Sequence, residues 1–411
     1  MNLPEYQSLD ASLPLPEEVG VLADFFQTAG KSLFVVGGAV RDYLYNKIHL
    51  PNADFKPKDI DLCTEASPEE VITILSSREA KEAGVTVFPK GISFGVVSAL
   101  IGGIEFEIAT FREDWYDPES GDGRRPDKVK YSTPKNDAAR RDLTINSLFY
   151  DINAQEIRDY NLDPEGRGMG IQDIENKVVR AVGNARDRFR EDRLRIIRLV
   201  RFFCRLNDGN IFLDTNTLEA IKEFRDLPGV SAERIAMEFM SGIKQSLNPT
   251  MFLRNYESLG LFSATFPGMK VEIQDVKDVR NPAAIIAWIL KSNGGSSKVK
   301  TALIKQKYSG SVFDVVEFLL QLYEFESEKI VNLLRRRDKY KQEIDPLVSE
   351  AKNYEIRKNV MDFAKIAGLE DQMNKFLNYE SQIKSEDYMH LEPSKRGKAI
   401  AADERKAYFK I

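Results

Sequence analysis

Two acids separated by one apolar residue, Asp59-Ile60-Asp61-Leu62, form the sharpest chemical feature of the chain. On an extended strand, residues i and i+2 face the same way. The two carboxylates would therefore converge on one side while Ile60 and Leu62 anchor the other in the core. Converging carboxylates repel unless a cation joins them. Hard oxygen donors of this kind suit Mg²⁺, with Mn²⁺ as the alternative, and such an ion would also bridge triphosphate oxygens. Alone, the pattern reads as the charged edge of a surface strand, and its context changes that reading. Phe34-Val35-Val36-Gly37-Gly38-Ala39-Val40-Arg41-Asp42 is a strand signal that ends in two glycines and feeds directly into a helix. Such glycines let backbone N–H groups approach phosphate oxygens, and the helix N-terminus adds positive potential. Arg41 has two readings, as a triphosphate ligand beside Gly37 and Gly38 or as a partner of Asp42 at the helix start.

Two further segments carry phosphate-binding chemistry. Arg140-Arg141-Asp142-Leu143-Thr144-Ile145-Asn146 offers two guanidinium forks for phosphate, with Asp142 and Asn146 able to bond sugar hydroxyls; the competing reading is a capped amphipathic helix. From Arg180 to Arg205, nine arginines face Asp187, Glu191 and Asp192, a local balance of 9 − 3 = +6 inside a chain of net charge −5. A mean charge conceals such a local field.

The elements that must position these residues change along the chain. The first third mixes β-branched runs at Ser32–Val36, Val85–Phe88, Ser93–Leu100 and Ile104–Thr110 with helical stretches near Pro16–Thr28, Ala39–Tyr45 and Pro68–Lys81. This predicts an α/β region with a mixed, mainly antiparallel sheet. Residues 110–137 turn polar and read as a long mobile loop. From Asp187 onward helical periodicity dominates, as in Ile196, Leu199, Val200, Phe203 and Leu206. The Ser292–Ser297 Gly/Ser run is the best linker candidate. The expected class is α+β, with residues 1–150 a catalytic head, 151–245 a helical neck, 246–292 a helical body and 293–411 a helical tail.

Composition limits the chemistry. With 411 residues, 42% hydrophobic and 30% charged, the chain reads as a globular protein of several cores, expected in the cytoplasm and without a membrane partner. Only two histidines, His49 and His390, occur, which excludes most zinc and Ser-His-Asp chemistry. The two cysteines, Cys63 and Cys204, lie far apart in apolar segments and read as buried thiols. Carboxylates, arginines and metals remain.

The Gly-Gly turn followed about twenty residues later by D-h-D-h resembles the signature of the DNA polymerase β nucleotidyltransferase superfamily. Ordered motifs over about residues 30–240 narrow the resemblance to class II tRNA nucleotidyltransferases and their bacterial poly(A) polymerase relatives. Ile104-Glu105-Phe106-Glu107-Ile108-Ala109-Thr110-Phe111-Arg112 resembles the family's E-h-x-T-x-R segment, which makes Glu107 the third acid and leaves Glu105, on the same face, as the alternative. The Arg140–Asn146 segment resembles R-R-D-F-T-I-N, which in the family lies beside the ribose. Glu191-Asp192-Arg193-Leu194-Arg195 matches E-D-x-x-R, which reads the base edge in place of a template. On a helix Asp192 and Arg195 would project from one turn, and Arg198 extends the same basic helix. Residues 163–173 resemble a hinge-like segment in which Gly170 and Asp173 align.

The resemblance implies two-metal nucleotidyl transfer: Asp59 and Asp61 as metal ligands with Glu107, two Mg²⁺ ions, and Gly37, Gly38, Arg41 and Arg112 around the triphosphate. Arg140, Arg141, Asp142 and Asn146 would meet ribose and phosphate, and Glu191, Asp192, Arg195 and Arg198 the base. The loop with Arg124, Arg125, Pro126 and Asp127 resembles one that favours terminal adenosine addition. The implied reaction adds CCA to the 3′ acceptor end of tRNA from CTP and ATP, with no obligate protein partner evident. The alternatives are a poly(A) polymerase, an A- or CC-adding enzyme, and an inactive RNA-binding module.

Overall fold

The computed structural model describes residues 4–57, 59–89, 91–92, 95–115, 128–206, 212–324, 328–339 and 346–410, with backbone alone at 114–115, 128–129, 339 and 346–354. The chain folds as two compact units, residues 1–230 and 231–411.

The first unit is α+β. Its strands are β1 (Gln7–Asp10), β2 (Leu33–Val36), β3 (Asp61–Thr64), β4 (Thr86–Phe88), β5 (Val96–Ile101), β6 (Ile104–Thr110), β7 (Arg112–Trp115), β8 (Lys128–Tyr131), β9 (Leu148–Asp151), β10 (Glu156–Asp159) and the short parallel pair β11 (Val178–Val179) and β12 (Phe212–Leu213). Eight of them form one sheet in the order β1-β10-β9-β2-β3-β6-β5-β4, while β7 and β8 pair as a separate antiparallel hairpin. Only β3 and β6 run parallel within the large sheet, so the mixed, mainly antiparallel expectation holds. All four residues of β2 are buried, as the continuous apolar run Leu33–Val36 requires at the centre of a sheet covered on both faces.

Helix α1 (Glu17–Thr28) precedes β2, and α2 (Gly38–His49) leaves it at once. Gly37 permits that turn: its φ of +70° is a conformation L side chains rarely adopt. The expected helix over Pro68–Lys81 is two, α3 (Pro68–Leu75) and α4 (Arg78–Glu82). Ser67 opens α3 with a full capping box, and Ser77 accepts the Ala80 N–H to start a second helix. Ser76-Ser77 breaks the run because short hydroxyl side chains compete for backbone bonds. A sheet core of Phe34, Val36, Cys63, Phe111, Ala138, Phe149 and Tyr160 lies beneath the arginine-rich segments, its rings stacked edge to face or tilted at 5.5–6.2 Å.

The unit continues through α5 (Pro134–Ala139), α6 (Met169–Glu175), α7 (Ala185–Glu191), α8 (Leu194–Leu206) and α9 (Thr215–Phe224). Of the anticipated stripe on α8, Ile196, Leu199, Val200 and Leu206 are buried, but so are Phe202, Arg195 and Arg201. That helix is enclosed on more faces than an amphipathic stripe implies. The second unit is helical among its described residues, from Ala232–Gln245 to Pro393–Lys410. Within it the Gly/Ser run is a packed turn rather than an open tether: Asn293 is buried, bonds the Lys270 backbone at both its N–H and its carbonyl, and Ser296 begins a helix. No described helix is long and apolar enough to cross a membrane.

Candidate active site

Strand β3 begins at Asp61, so Asp59 lies just outside it and the pair does not share a strand face as its spacing suggested. The two remain electrostatic neighbours. Partial burial raises the Asp61 carboxyl above its ordinary range; Arg141 opposes this and the Asp59 charge adds to it. The parallel register Leu62↔Ile108 sets Asp61 level with Glu107, whereas Glu105 lies two residues further back along β6. All four carboxylates are solvent-exposed. Among the described residues, however, no three Asp, Glu, His or Cys side chains are gathered closely enough to hold a metal ion.

Gly37 ends β2 opposite Asp61, its neighbour Val36 being Asp61's register partner. A Cβ on Gly37 would stand 3.5 Å from Arg141 Nη1, and one on Gly38 3.7 Å from Arg41 Nη2. Arg41 itself is only 1% exposed. Its Nε donates to Asp42 Oδ1 at 2.8 Å and its Nη1 to Asn146 Oδ1 at 2.6 Å. Burial lowers its pKa, and Asp42 works against that. Of the two sequence readings, this geometry is the Asp42 pair.

The Arg-Arg-Asp segment is built around a residue the sequence reading passed over. Asp137, 2% exposed on α5, accepts Nε and Nη2 of Arg140 at 2.9 and 2.6 Å, and Nε and Nη2 of Arg141 at 3.1 and 2.9 Å. Its Oδ1 also takes the backbone N–H of Arg112 at 3.3 Å. The i,i+3 and i,i+4 spacing of Asp137 to the two arginines was the available signal. The Arg141 guanidinium lies 5.0 Å over the Phe149 ring of the sheet core, which fixes its plane. Asn146 is not at the surface: 7% exposed, it takes Arg41 on Oδ1 and gives Nδ2 to Asp142 Oδ1 at 3.1 Å. Asp142 Oδ2 receives Arg198 Nε at 2.9 Å. Burial pushes the Asp142 carboxyl up, but Arg198, Asn146 and Arg195 outweigh it and hold it down at about 2.

Helices α7 and α8 meet at a kink where Asp192 is extended, with φ −150°. Its Oδ1 accepts the Leu194 N–H at 3.0 Å, so Asp192 caps α8 instead of sharing a helical turn with Arg195. This corrects the expected i,i+3 helical pair; a cap needs non-helical backbone. Arg195 donates to Glu191 Oε2 and to the Arg140 carbonyl, both at 2.9 Å, which ties the base-reading candidates to the Arg-Arg-Asp segment. Gly170 lets α6 pack on the same region, since a Cβ there would lie 2.5 Å from the Thr144 carbonyl oxygen. Asp173 accepts Thr144 Oγ1 at 2.6 Å. The loop residues Arg124, Arg125, Pro126 and Asp127 lie outside the described residues; β7 and β8 flank them.

Residues 33–180, which hold the Gly-Gly turn, the acids and the Arg-Arg-Asp segment, match the family described as Poly A polymerase head domain. The chain is 37% identical over 228 residues to a CCA-adding enzyme of Lactobacillus helveticus, covering 54% of this chain and 48% of that protein. It thus spans about half the length of the curated relatives that it matches. By structure it resembles the Bacillus stearothermophilus CCA-adding enzyme in complex with CTP, with a TM-score of 0.64 at 20% identity over 96% of this chain and 92% of that one. It also resembles the Thermotoga maritima CCA-adding enzyme complexed with tRNA, with a TM-score of 0.60 at 16% identity over 99% and 95%. These likenesses extend the shared fold beyond the head domain to nearly the whole chain.

Proposed function

We propose that this chain is a template-independent, CCA-adding tRNA nucleotidyltransferase that transfers CMP and AMP from CTP and ATP to the 3′ end of tRNA in the cytoplasm. The observation that carries this reading is a polar assembly inside the first unit: Asp61, whose carboxyl feels the Arg141 charge, the Asp137-anchored arginines, and Arg195 and Arg198 of α8 bonded to the Arg140 carbonyl and to Asp142. It spans the chemistry that phosphate, sugar and base each need.

Asp59 and Asp61, exposed neighbouring carboxylates that repel until a cation bridges them, have the donor chemistry for Mg²⁺ and would hold it. Glu107, level with Asp61, would serve as the third acid, with Glu105 as the alternative. Bound there, the metals would neutralise triphosphate charge and make the RNA 3′-hydroxyl a better nucleophile. The protein's own part is positioning. The Gly37-Gly38 backbone approaches the triphosphate, with Arg112 beside it; Arg140 and Arg141 present forks held by Asp137. Asp142 lies on the ribose side, and Arg198, bonded to it, lies with the base-reading group. Arg195, Glu191 and Asp192 read the base edge, where an unmatched donor or acceptor costs about 1–3 kcal/mol.

A second reading is a poly(A) polymerase, favoured by the description of the matched head domain. Product analysis separates the two. With Mg²⁺ and tRNA ending at the discriminator base, C or CC, growth to CCA followed by arrest is expected; open-ended A tails would refute the CCA reading. Asp59→Ala is expected to abolish addition, and full activity in that variant would refute the metal assignment.

A further inference from the structure

Helices α7 and α8 are separated by Asp192 and Arg193 alone, so whatever fixes these two residues sets how the helices meet. Asp192 caps α8. The Arg193 carbonyl accepts the Ile196 N–H at 3.1 Å, but its side chain leaves α8 altogether: Nη1 donates to the carbonyl of Pro228 at 3.0 Å, 35 residues further along the chain. Its Nε is buried and has no hydrogen-bond partner among the described residues. A buried donor without an acceptor costs stability, so this guanidinium is held where one of its own N–H groups has lost water and gained nothing.

The acceptor is also held in a costly conformation. Pro228 lies in the turn that follows α9, where Leu227 is 3% exposed and has a φ of +51°, a left-handed backbone that an L side chain disfavours. The Leu227 carbonyl accepts the Val230 N–H at 3.2 Å, which closes the turn around Pro228. Helix α7 is bound to the same neighbourhood. Arg186 Nε donates to Glu223 Oε2 of α9 at 2.8 Å, and the Arg190 guanidinium lies 5.6 Å from the centre of the Phe224 ring. Three arginines of the basic run thus have partners on α9 and the turn after it. A left-handed leucine and an unsatisfied buried donor flank a single contact, and folds retain such local costs where position matters more than stability.

We propose that Arg193 is a positioning residue for base choice. By clamping the kink between α7 and α8 to the Pro228 carbonyl, it fixes the angle at which Glu191, Asp192 and Arg195, its near neighbours in the chain, face the nucleotide base. The inference rests on the nucleotide-transfer reading above, and its test needs no turnover. Equilibrium binding of CTP and of UTP to the full chain with Mg²⁺ is compared in the unsubstituted protein, Arg193→Met and Arg193→Lys, together with the melting temperature of each. Arg193→Met keeps an unbranched apolar stem and removes every donor, whereas Arg193→Lys returns a charged donor to the Pro228 carbonyl. The net contribution of one hydrogen bond predicts a CTP-to-UTP affinity ratio reduced about fivefold in Arg193→Met and largely restored in Arg193→Lys. Because Arg193→Met also removes the unsatisfied donor, its melting temperature is expected to stay level or rise. An unchanged CTP-to-UTP ratio in Arg193→Met overturns the proposal whatever the melting temperature does, and so does equal weakening of both nucleotides that Arg193→Lys does not rescue. If Arg193→Met does not fold, Arg193→Ala serves as the donor-less variant under the same criteria. Equal binding of CTP and UTP by the unsubstituted protein would count against the base-reading assignment and the proposal with it, whereas a preference that survives in Arg193→Met counts only against the role of Arg193.

Discussion

Replacing Asp137 by asparagine keeps the shape of the side chain and removes its charge. In the folded protein one carboxylate satisfies four guanidinium N–H groups, two from Arg140 and two from Arg141, at 2.6–3.1 Å. An amide offers one acceptor oxygen and turns two donors toward donors, so one fork loses its partner. Removing one member of a buried ion pair costs about 3–5 kcal/mol. The arginine side chains keep 18–21% exposure, so water recovers part of the loss and the lower end applies, about 3 kcal/mol. At about 2–4 °C per kcal/mol for a unit of this size, the first unit should melt roughly 6–12 °C lower. Calorimetry, which records the unfolding of each of the two compact units, reads the shift. The pH dependence supplies a further check. Burial raises the Asp137 pKa, but the charges of Arg141 and Arg140 outweigh it and leave it lowered in the fold. A depressed carboxylate contributes stability that is present above its unfolded pKa, near 4, and lost as pH falls through the folded value. The gap between Asp137→Asn and the unsubstituted protein should thus be full at pH 7 and shrink below about pH 4. A melting change under about 2 °C at pH 7 would refute the clamp, since even 1 kcal/mol moves the transition that far.

Arg195→Ala removes the donor held by Glu191 and the Arg140 carbonyl, and it should blur base choice while leaving some transfer. Loss of matching worth about 1–3 kcal/mol corresponds to roughly 5- to 150-fold in discrimination of CTP and ATP from UTP and GTP, and single-nucleotide incorporation rates that keep the original preference would exclude the role. Asp159 should titrate in the opposite sense to Asp137. Burial raises its pKa to about 6, against backbone N–H bonds from Ile171, Asn161 and Gly170, and Asp173 adds to the rise. Its contribution to stability is present below about pH 4 and lost as pH rises through about 6, worth of order 3 kcal/mol over that range. Melting curves of Asp159→Asn and the unsubstituted protein should therefore diverge between pH 4 and 6, and parallel curves would remove Asp159 as the cause.

Local pattern was enough to reveal the head. The apolar run Leu33–Val36, the Gly-Gly turn and the E-h-x-T-x-R strand are short-range features whose meaning does not depend on what packs against them, so β2, the start of α2 and β6 follow from periodicity and turn chemistry. The same holds for the candidate acids and arginines, whose residue types carry the chemistry. What the sequence could not assign was each charge's partner. Arg41 had two readings, and its burial against Phe202 with Asp42 and Asn146 in reach decides between them. Asp192 and Arg195 looked like one helical turn, but the kink between α7 and α8 turns Asp192 into a cap and sends Arg195 to Glu191. Asp137 drew no notice because an acid near arginines is ordinary in sequence, although its i,i+3 and i,i+4 spacing was there to read. Other pairings come from long-range packing, which brings positions 105 and 56 residues apart into hydrogen-bond contact, Arg41 with Asn146 and Asp142 with Arg198. Spacing along the chain fixes which side chains share a face of one strand or helix. Which cation meets which anion across different elements is set by burial and desolvation, and those exist only once the chain has folded.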